Sequence, residues 1–216
     1  MKVLGGADSK SAVMNLLASA APVAMPGARA RDAVLITRCV TGDDQAARDL
    51  FAQYYPIAGA FLGKLGVKPV DIEDASQDVL MQFFRYLPSF RGEAEVKTWL
   101  YRLCITEARR LRRRWRIGAT LRALLAAEPV VTDVVPPATR SEETMARLCQ
   151  SALDSMNEGH RLVFVLYEME GVPGKQIAEL AGCPLPTVWR RLHTARKHFR
   201  SSLGIETPES DEQGEP

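Results

Sequence analysis

Apolar residues along much of the chain recur at intervals of three and four, the pattern of helices with one buried face. Ala46, Leu50, Phe51 and Tyr54 form one such stripe, and Asp43 stands where a helix N-cap is expected. Pro56 starts or kinks a second stretch that carries Ile57, Phe61, Leu62 and Leu65 and ends at Gly66. Asp71 is placed to cap the next helix, whose inner face reads Ile72, Ala75, Val79, Phe83 and Leu87 before Pro88 stops it. After the polar loop Ser89 to Glu95, a long helix from Val96 runs through Trp99, Leu100, Leu103 and Ala108 into a crowd of arginines. These stripes predict a compact helical bundle over residues 31–116.

The periodicity is lost over residues 117–140, where Pro129, Pro136 and Pro137 flank a run of valines with no partner strand elsewhere, so the stretch reads as an extended linker. It resumes near Ser141, with Met145, Leu148, Ala152 and Leu153 on one face. Leu162, Val163, Val165, Leu166 and Met169 make the following helix, closed by Gly171. The expected fold is all-α: two small helical domains joined by a flexible linker, the second a helix-turn-helix, winged-helix-like but without a wing. Residues 1–30 read as a flexible extension, 31–116 and 141–204 as the domains, 117–140 as the linker and 205–216 as an acidic, disordered tail.

From Pro173 to Arg200 the spacing is that of a helix-turn-helix. Ala178 supplies the small residue that close helix approach demands, and Gly182 tolerates the left-handed turn. Pro186 suits the first turn of the second helix, where its missing N–H costs nothing. Val188, Leu192, Ala195 and Phe199 face inward, while Thr187, Trp189, Arg190, Arg191, His193, Thr194, Arg196 and Lys197 form the opposite face. No acidic residue lies between Pro184 and Leu203. Such a face fits the major groove of duplex DNA, with arginine forks on guanine edges or phosphates. Trp189 either stacks on the sugar-phosphate backbone or folds onto its own domain; the sequence leaves both open.

Composition changes this picture little, and charge changes it more. The 46% hydrophobic and 25% charged content is that of an ordinary soluble globular protein, and the net charge of +2 hides two basic foci at Arg109 to Arg116 and Arg190 to Arg200. Cys39, Cys104, Cys149 and Cys183 are scattered without metal-ligand spacing and read as buried free thiols in a reducing, cytoplasmic setting. No apolar run approaches the roughly 18 residues that span a bilayer.

Asp74, Gln77 and Asp78 share one exposed helix face. They are too few for a metal site and lack a nucleophile or histidine for catalysis. Either they support the helix, with Asp78 solvated or paired to Arg85, or they dock a basic partner helix. The loop Phe90 to Glu95 and the helix Lys97 to Arg102 set aromatic and basic groups side by side, which suits unstacked single-stranded DNA. Trp99 and Leu100 themselves read as core.

Asp71-Ile-Glu-Asp-Ala-Ser-Gln-Asp-Val-Leu, Phe90-Arg-Gly-Glu and Thr98-Trp-Leu-Tyr-Arg-Leu together resemble the second conserved region of bacterial sigma factors. Glu170 to Gly182, Thr187-Val188 and Leu192-His-Thr-Ala-Arg resemble their fourth region, and the presence of these two regions alone resembles the extracytoplasmic-function (ECF) group. The resemblance implies no catalysis, no cofactor, no metal and no small-molecule substrate. It implies that Asp74, Gln77 and Asp78 bind core RNA polymerase at the β′ clamp helices, with the β flap as a further contact. Phe90, Arg91, Gly92, Glu93, Lys97, Arg102, Thr106, Arg109, Arg110 and Arg113 would capture the non-template single strand of the −10 element. Thr187, Trp189, Arg190, Arg191, His193, Thr194, Arg196 and Lys197 would read the double-stranded −35 element. It also implies an anti-sigma factor as partner and no membrane insertion. Thr106, Pro173 and Trp189 depart from the residues usual in the family. The rival reading is a helix-turn-helix regulator that never joins polymerase.

Overall fold

The computed structural model describes residues 28–90, 95–125 and 141–204, and among them every regular element is a helix. Packing divides them into two units, residues 28–125 and 141–204. Residues 1–27 of the expected extension, residues 126–140 of the expected linker and the acidic tail lie outside the described residues.

The first unit contains α1 (Ala28–Val40), α2 (Asp44–Lys64), α3 (Pro69–Tyr86), a 3₁₀ turn (Leu87–Ser89) and α4 (Val96–Leu125). Asp43 caps α2 as its position predicts, accepting from the Gln45 N–H at 2.9 Å and the Ala46 N–H at 3.1 Å. Pro56 neither starts nor ends a helix: α2 runs through it. Pro56 and Ala52, whose carbonyl it leaves without an intrahelical donor, are both exposed, so water can take the missing bond. At the far end Gly66 turns left-handed at φ 83°, with its N–H on the Gly63 carbonyl and the Val67 N–H on that of Leu62, the paired bonds of a Schellman ending.

Asp71 does not cap α3. Lys68 holds the cap position, Pro69 opens the first turn, and Asp71 sits inside that turn, where a negative charge complements the helix dipole. The helix α1, which no apolar stripe announced, is tied to α2 by Asp32, which accepts from the Tyr54 hydroxyl at 2.8 Å and Gln53 Nε2 at 3.0 Å. Leu50, Phe61, Leu62, Val79, Phe83 and Leu100 fill the core. Phe61 stacks on Tyr101 with ring centres 4.2 Å apart. Phe51, read from its spacing as inward, is exposed.

The helix α4 continues past Arg116 to Leu125, into the stretch read as linker. Its Ala, Leu and Arg residues favour helix. Arg112 anchors α4 by donating from Nη2 to the Leu65 carbonyl, and Trp115 lies under the Lys68 ammonium at 5.1 Å.

The second unit contains α5 (Ser141–Asp154), α6 (Glu158–Phe164), a π-helical turn (Val165–Met169), α7 (Gly174–Ala181) and α8 (Leu185–Ser202). Leu148 is exposed, not inward. Asn157 caps α6, and the buried Arg161 donates from Nε to the Leu153 carbonyl at 2.6 Å, satisfying the end of α5. The helix α6 gives way to the wider π turn, in which the Glu170 N–H reaches the Val165 carbonyl at 3.0 Å. Gly182 closes α7 in the left-handed conformation (φ 66°, ψ 41°), and Pro186 lies in the first turn of α8, both as expected. Val188, Leu192, Ala195 and Phe199 are all buried. Of the four thiols, all free, only Cys104 is fully buried.

Candidate nucleic-acid interface

On α3, Asp74, Gln77 and Asp78 are exposed together and line a shallow cleft of about 250 Å³ with Glu107 and Arg110 of α4. Arg110 Nη2 donates to Asp78 Oδ2 and to Glu107 Oε1, each at 2.7 Å, and Nε donates to Glu107 Oε2 at 2.8 Å. These bonds, that to the buried Glu107 foremost, push the guanidinium pKa up. Asp78 therefore pairs with Arg110, not Arg85, and Arg110 belongs to the acidic face. Gln77 also lines a larger apolar groove of about 780 Å³ on the other side, formed by Phe51, Tyr55, Leu80, Met81 and Phe84. The carboxylates thus border an apolar floor. The pattern held a clue to it, since Phe51 and Met81 are large apolar residues at the margin of their helices' core stripes.

Further along α4, Arg102, Thr106, Arg109 and Arg113 follow at i, i+4, i+7 and i+11 and are all exposed, forming one basic stripe. Arg110 is turned off it. Thr106 Oγ1 donates to the Arg102 carbonyl at 2.9 Å, so its methyl and oxygen lie along the helix surface. At the start of α4, Trp99 is half-buried between Phe83 (4.9 Å) and Phe90 (5.1 Å), and Lys97 stands 5.4 Å over the Tyr101 ring. Leu100 is wholly buried. Arg91, Gly92 and Glu93 lie outside the described residues.

In the second unit Arg190, His193, Thr194, Arg196 and Lys197 are exposed along α8, and Thr187 is half-buried at its start. Arg191 is not part of this face. Its guanidinium lies against Gly159 and its Nη1 is 3.6 Å from Cys183 Sγ, so it braces α8 on its own unit. Trp189 folds onto the domain: its indole covers Gly174, where an added Cβ would meet it at 2.7 Å, and lies edge-on to Tyr167 at 5.5 Å. It remains 44% exposed, enough for an edge to be reached from outside.

The sigma-70 region 2 profile matches residues 50–117, and the profile described as sigma-70, region 4 matches residues 147–199. The chain is a sigma-70 family protein of the ECF group. Among similar curated proteins is the ECF RNA polymerase sigma-E factor of Haemophilus influenzae, 26% identical over 180 residues, covering 80% of this chain and 95% of that one. The Escherichia coli K12 protein of the same name is 26% identical over 183 residues, covering 77% and 91%. Two solved structures share the fold. The sigma factor RpoE of Bartonella quintana, in complex with the anti-sigma factor NepR, matches with a TM-score of 0.61 at 21% identity, over 74% of this chain and 98% of that chain. CnrH, in complex with the cytosolic domain of CnrY, matches with a TM-score of 0.59 at 20% identity, over 82% and 99%.

The acidic cleft and the α4 stripe thus lie in region 2, and the outward face of α8 lies in region 4. The fold brings Asp74, Gln77 and Asp78 together, and likewise Arg102, Thr106, Arg109 and Arg113. It takes Arg110 and Arg191 out of the faces to which the sequence assigned them. Among the described residues no helix is long and apolar enough to cross a membrane.

Proposed function

We propose that the chain is an alternative sigma factor that joins core RNA polymerase, recognises −10 and −35 promoter elements and promotes DNA melting. The observation that carries this is the pairing, in one chain of the family, of an acidic face bordering an apolar groove with an acid-free outward helix face. The first is chemistry for a protein partner, the second for duplex DNA. Asp74, Gln77 and Asp78, with Phe51 and Met81 beside them, would dock the β′ clamp helices, and region 4 would meet the β flap. Arg190, His193, Thr194, Arg196 and Lys197 would contact the −35 duplex. Arg102, Thr106, Arg109 and Arg113 would follow the −10 backbone, with Lys97, Phe90 and the open edge of Trp99 close to unstacked bases.

Nothing here needs a reaction of the chain's own. Binding energy spent on phosphates and on opened bases lowers the cost of strand separation for the polymerase. Its work is in the cytoplasm, where polymerase and promoter are, and an anti-sigma factor is the expected regulator, as NepR is for the structural neighbour RpoE.

Run-off transcription with purified core polymerase on genomic promoter fragments tests the reading. Promoter-specific transcripts that require this chain are expected. Duplex binding with no initiation would instead assign it to the regulators that never join polymerase.

A further inference from the structure

Arg196 faces outward on α8, yet its guanidinium is already held from a neighbouring element. Its Nε donates to Glu168 Oε1 at 2.6 Å, and the guanidinium lies 5.5 Å from the centre of the Tyr167 ring. Both partners belong to the π-helical turn Val165–Met169. Tyr167 is in turn edge-on to Trp189, and Trp189 is seated on Gly174. Arg196 is therefore gripped along one edge and against one ring. Its side chain remains 44% exposed, and its two terminal nitrogens have no hydrogen-bond partner among the described residues.

A guanidinium bound through Nε still presents its end-on pair of nitrogens, the fork that matches the acceptor edge of guanine. An unrestrained arginine would lose rotamer freedom on binding, and the grip removes part of that loss beforehand. The carboxylate also offsets the arginine's charge. That weakens its pull on phosphates of any sequence while leaving the direction of the fork intact.

We propose that Glu168 is a positioning and specificity-determining residue for promoter reading: it aims Arg196 and turns a general phosphate contact into a discriminating one. The proposal rests on the sigma-factor reading and names a residue outside the reading helix.

The test uses the full chain assembled with core polymerase. Its probes are a duplex selected from a randomised pool by the wild-type holoenzyme and a scrambled duplex of the same length. Glu168→Ala is expected to lower the ratio of affinities for the two about tenfold, with the scrambled duplex bound as tightly or more tightly. Glu168→Gln, which can still accept from Nε but carries no charge, should keep part of the ratio. In an Arg196→Ala background, Glu168→Ala should change the ratio no further. Equal weakening of both duplexes by Glu168→Ala would overturn the proposal, as would the same loss in the Arg196→Ala background or a wild-type ratio for Arg196→Ala alone. Failure of the sigma-factor reading has a different mark: the wild-type chain would then select no duplex and support no specific transcript.

Discussion

The helices α4 and α8 are both basic, and each unit handles that charge differently. In α4 the arginines are divided among tasks. Arg112 closes the end of α2, Arg110 is locked between Asp78 and Glu107, and Arg102, Arg109 and Arg113 lie along one exposed stripe. In α8 the division falls between faces: an apolar stripe is buried and basic residues stand opposite, with Arg191 turned back onto its own unit. On that outward face Arg196 is paired from another element, through Glu168. A basic run is thus a property of composition. Which of its charges can meet a polyanion is set by where the carboxylates and carbonyls of neighbouring helices lie.

The sharpest way to break this contrast is through the α8 stripe. Leu192→Ala removes a side chain that is only 2% exposed and should cost about 2–5 kcal/mol. Calorimetry should show the unit of residues 141–204 melting earlier while the other unit keeps its transition. Next in size, Asp74→Lys together with Asp78→Lys should weaken polymerase association on the order of a hundredfold, through like-charge contact with a basic partner helix. Both sites are exposed, so the circular-dichroism spectrum should stay native; normal holoenzyme assembly would remove this face from the interface.

Arg190→Ala should weaken binding to a selected −35 duplex by about 1–3 kcal/mol, as the loss of a base contact does. An unchanged affinity in a fluorescence-anisotropy titration would take Arg190 off the reading face. A smaller effect separates the two kinds of arginine on α4. Arg113→Ala should reduce the salt dependence of promoter binding by preassembled holoenzyme by about one charge. Arg110→Gln should leave that slope alone, because this guanidinium is already committed to carboxylates. Equal slopes for the two variants would erase the distinction.

The smallest expected effect is on pH dependence. Burial, with Arg191 and His198 close by, holds the His160 imidazole below its ordinary range. The unfolded chain then binds the proton more readily than the folded one. Stability from this source is full above the unfolded imidazole range and is lost as pH falls through the folded value. Urea midpoints for residues 141–204 should therefore drop on acidification from neutral pH, and His160→Gln should flatten that drop.

Much of this was legible without a structure because it is local. Asp43 as cap, Gly182 as left-handed turn and the stripe Val188, Leu192, Ala195 and Phe199 each depend on residues a few positions apart. Phe51 and Leu148 were misread for a related reason: periodicity assigns a face, but at the margin of a stripe the neighbouring helix decides what is covered. The run through Pro56 was hidden because a proline reads as a helix boundary, although Tyr54, Ala58, Phe61 and Leu62 continue one buried face across it. The extension of α4 to Leu125 was hidden because the prolines beyond it set the reading of the whole stretch.

The sequence by itself determined that the chain is all-helical, that it carries two separate basic foci and that it has the motifs of a two-region sigma factor. Those follow from residue order, spacing and composition. Only the tertiary structure decided that Arg110 answers to Asp78, 32 positions away, and Arg196 to Glu168, 28 positions away. It also decided that Trp189 lies over Gly174 and that the apolar groove adjoins the acidic cleft. A hydrogen bond or ring contact needs both partners within a few ångströms, and chain order alone does not state which distant residues folding will bring that close.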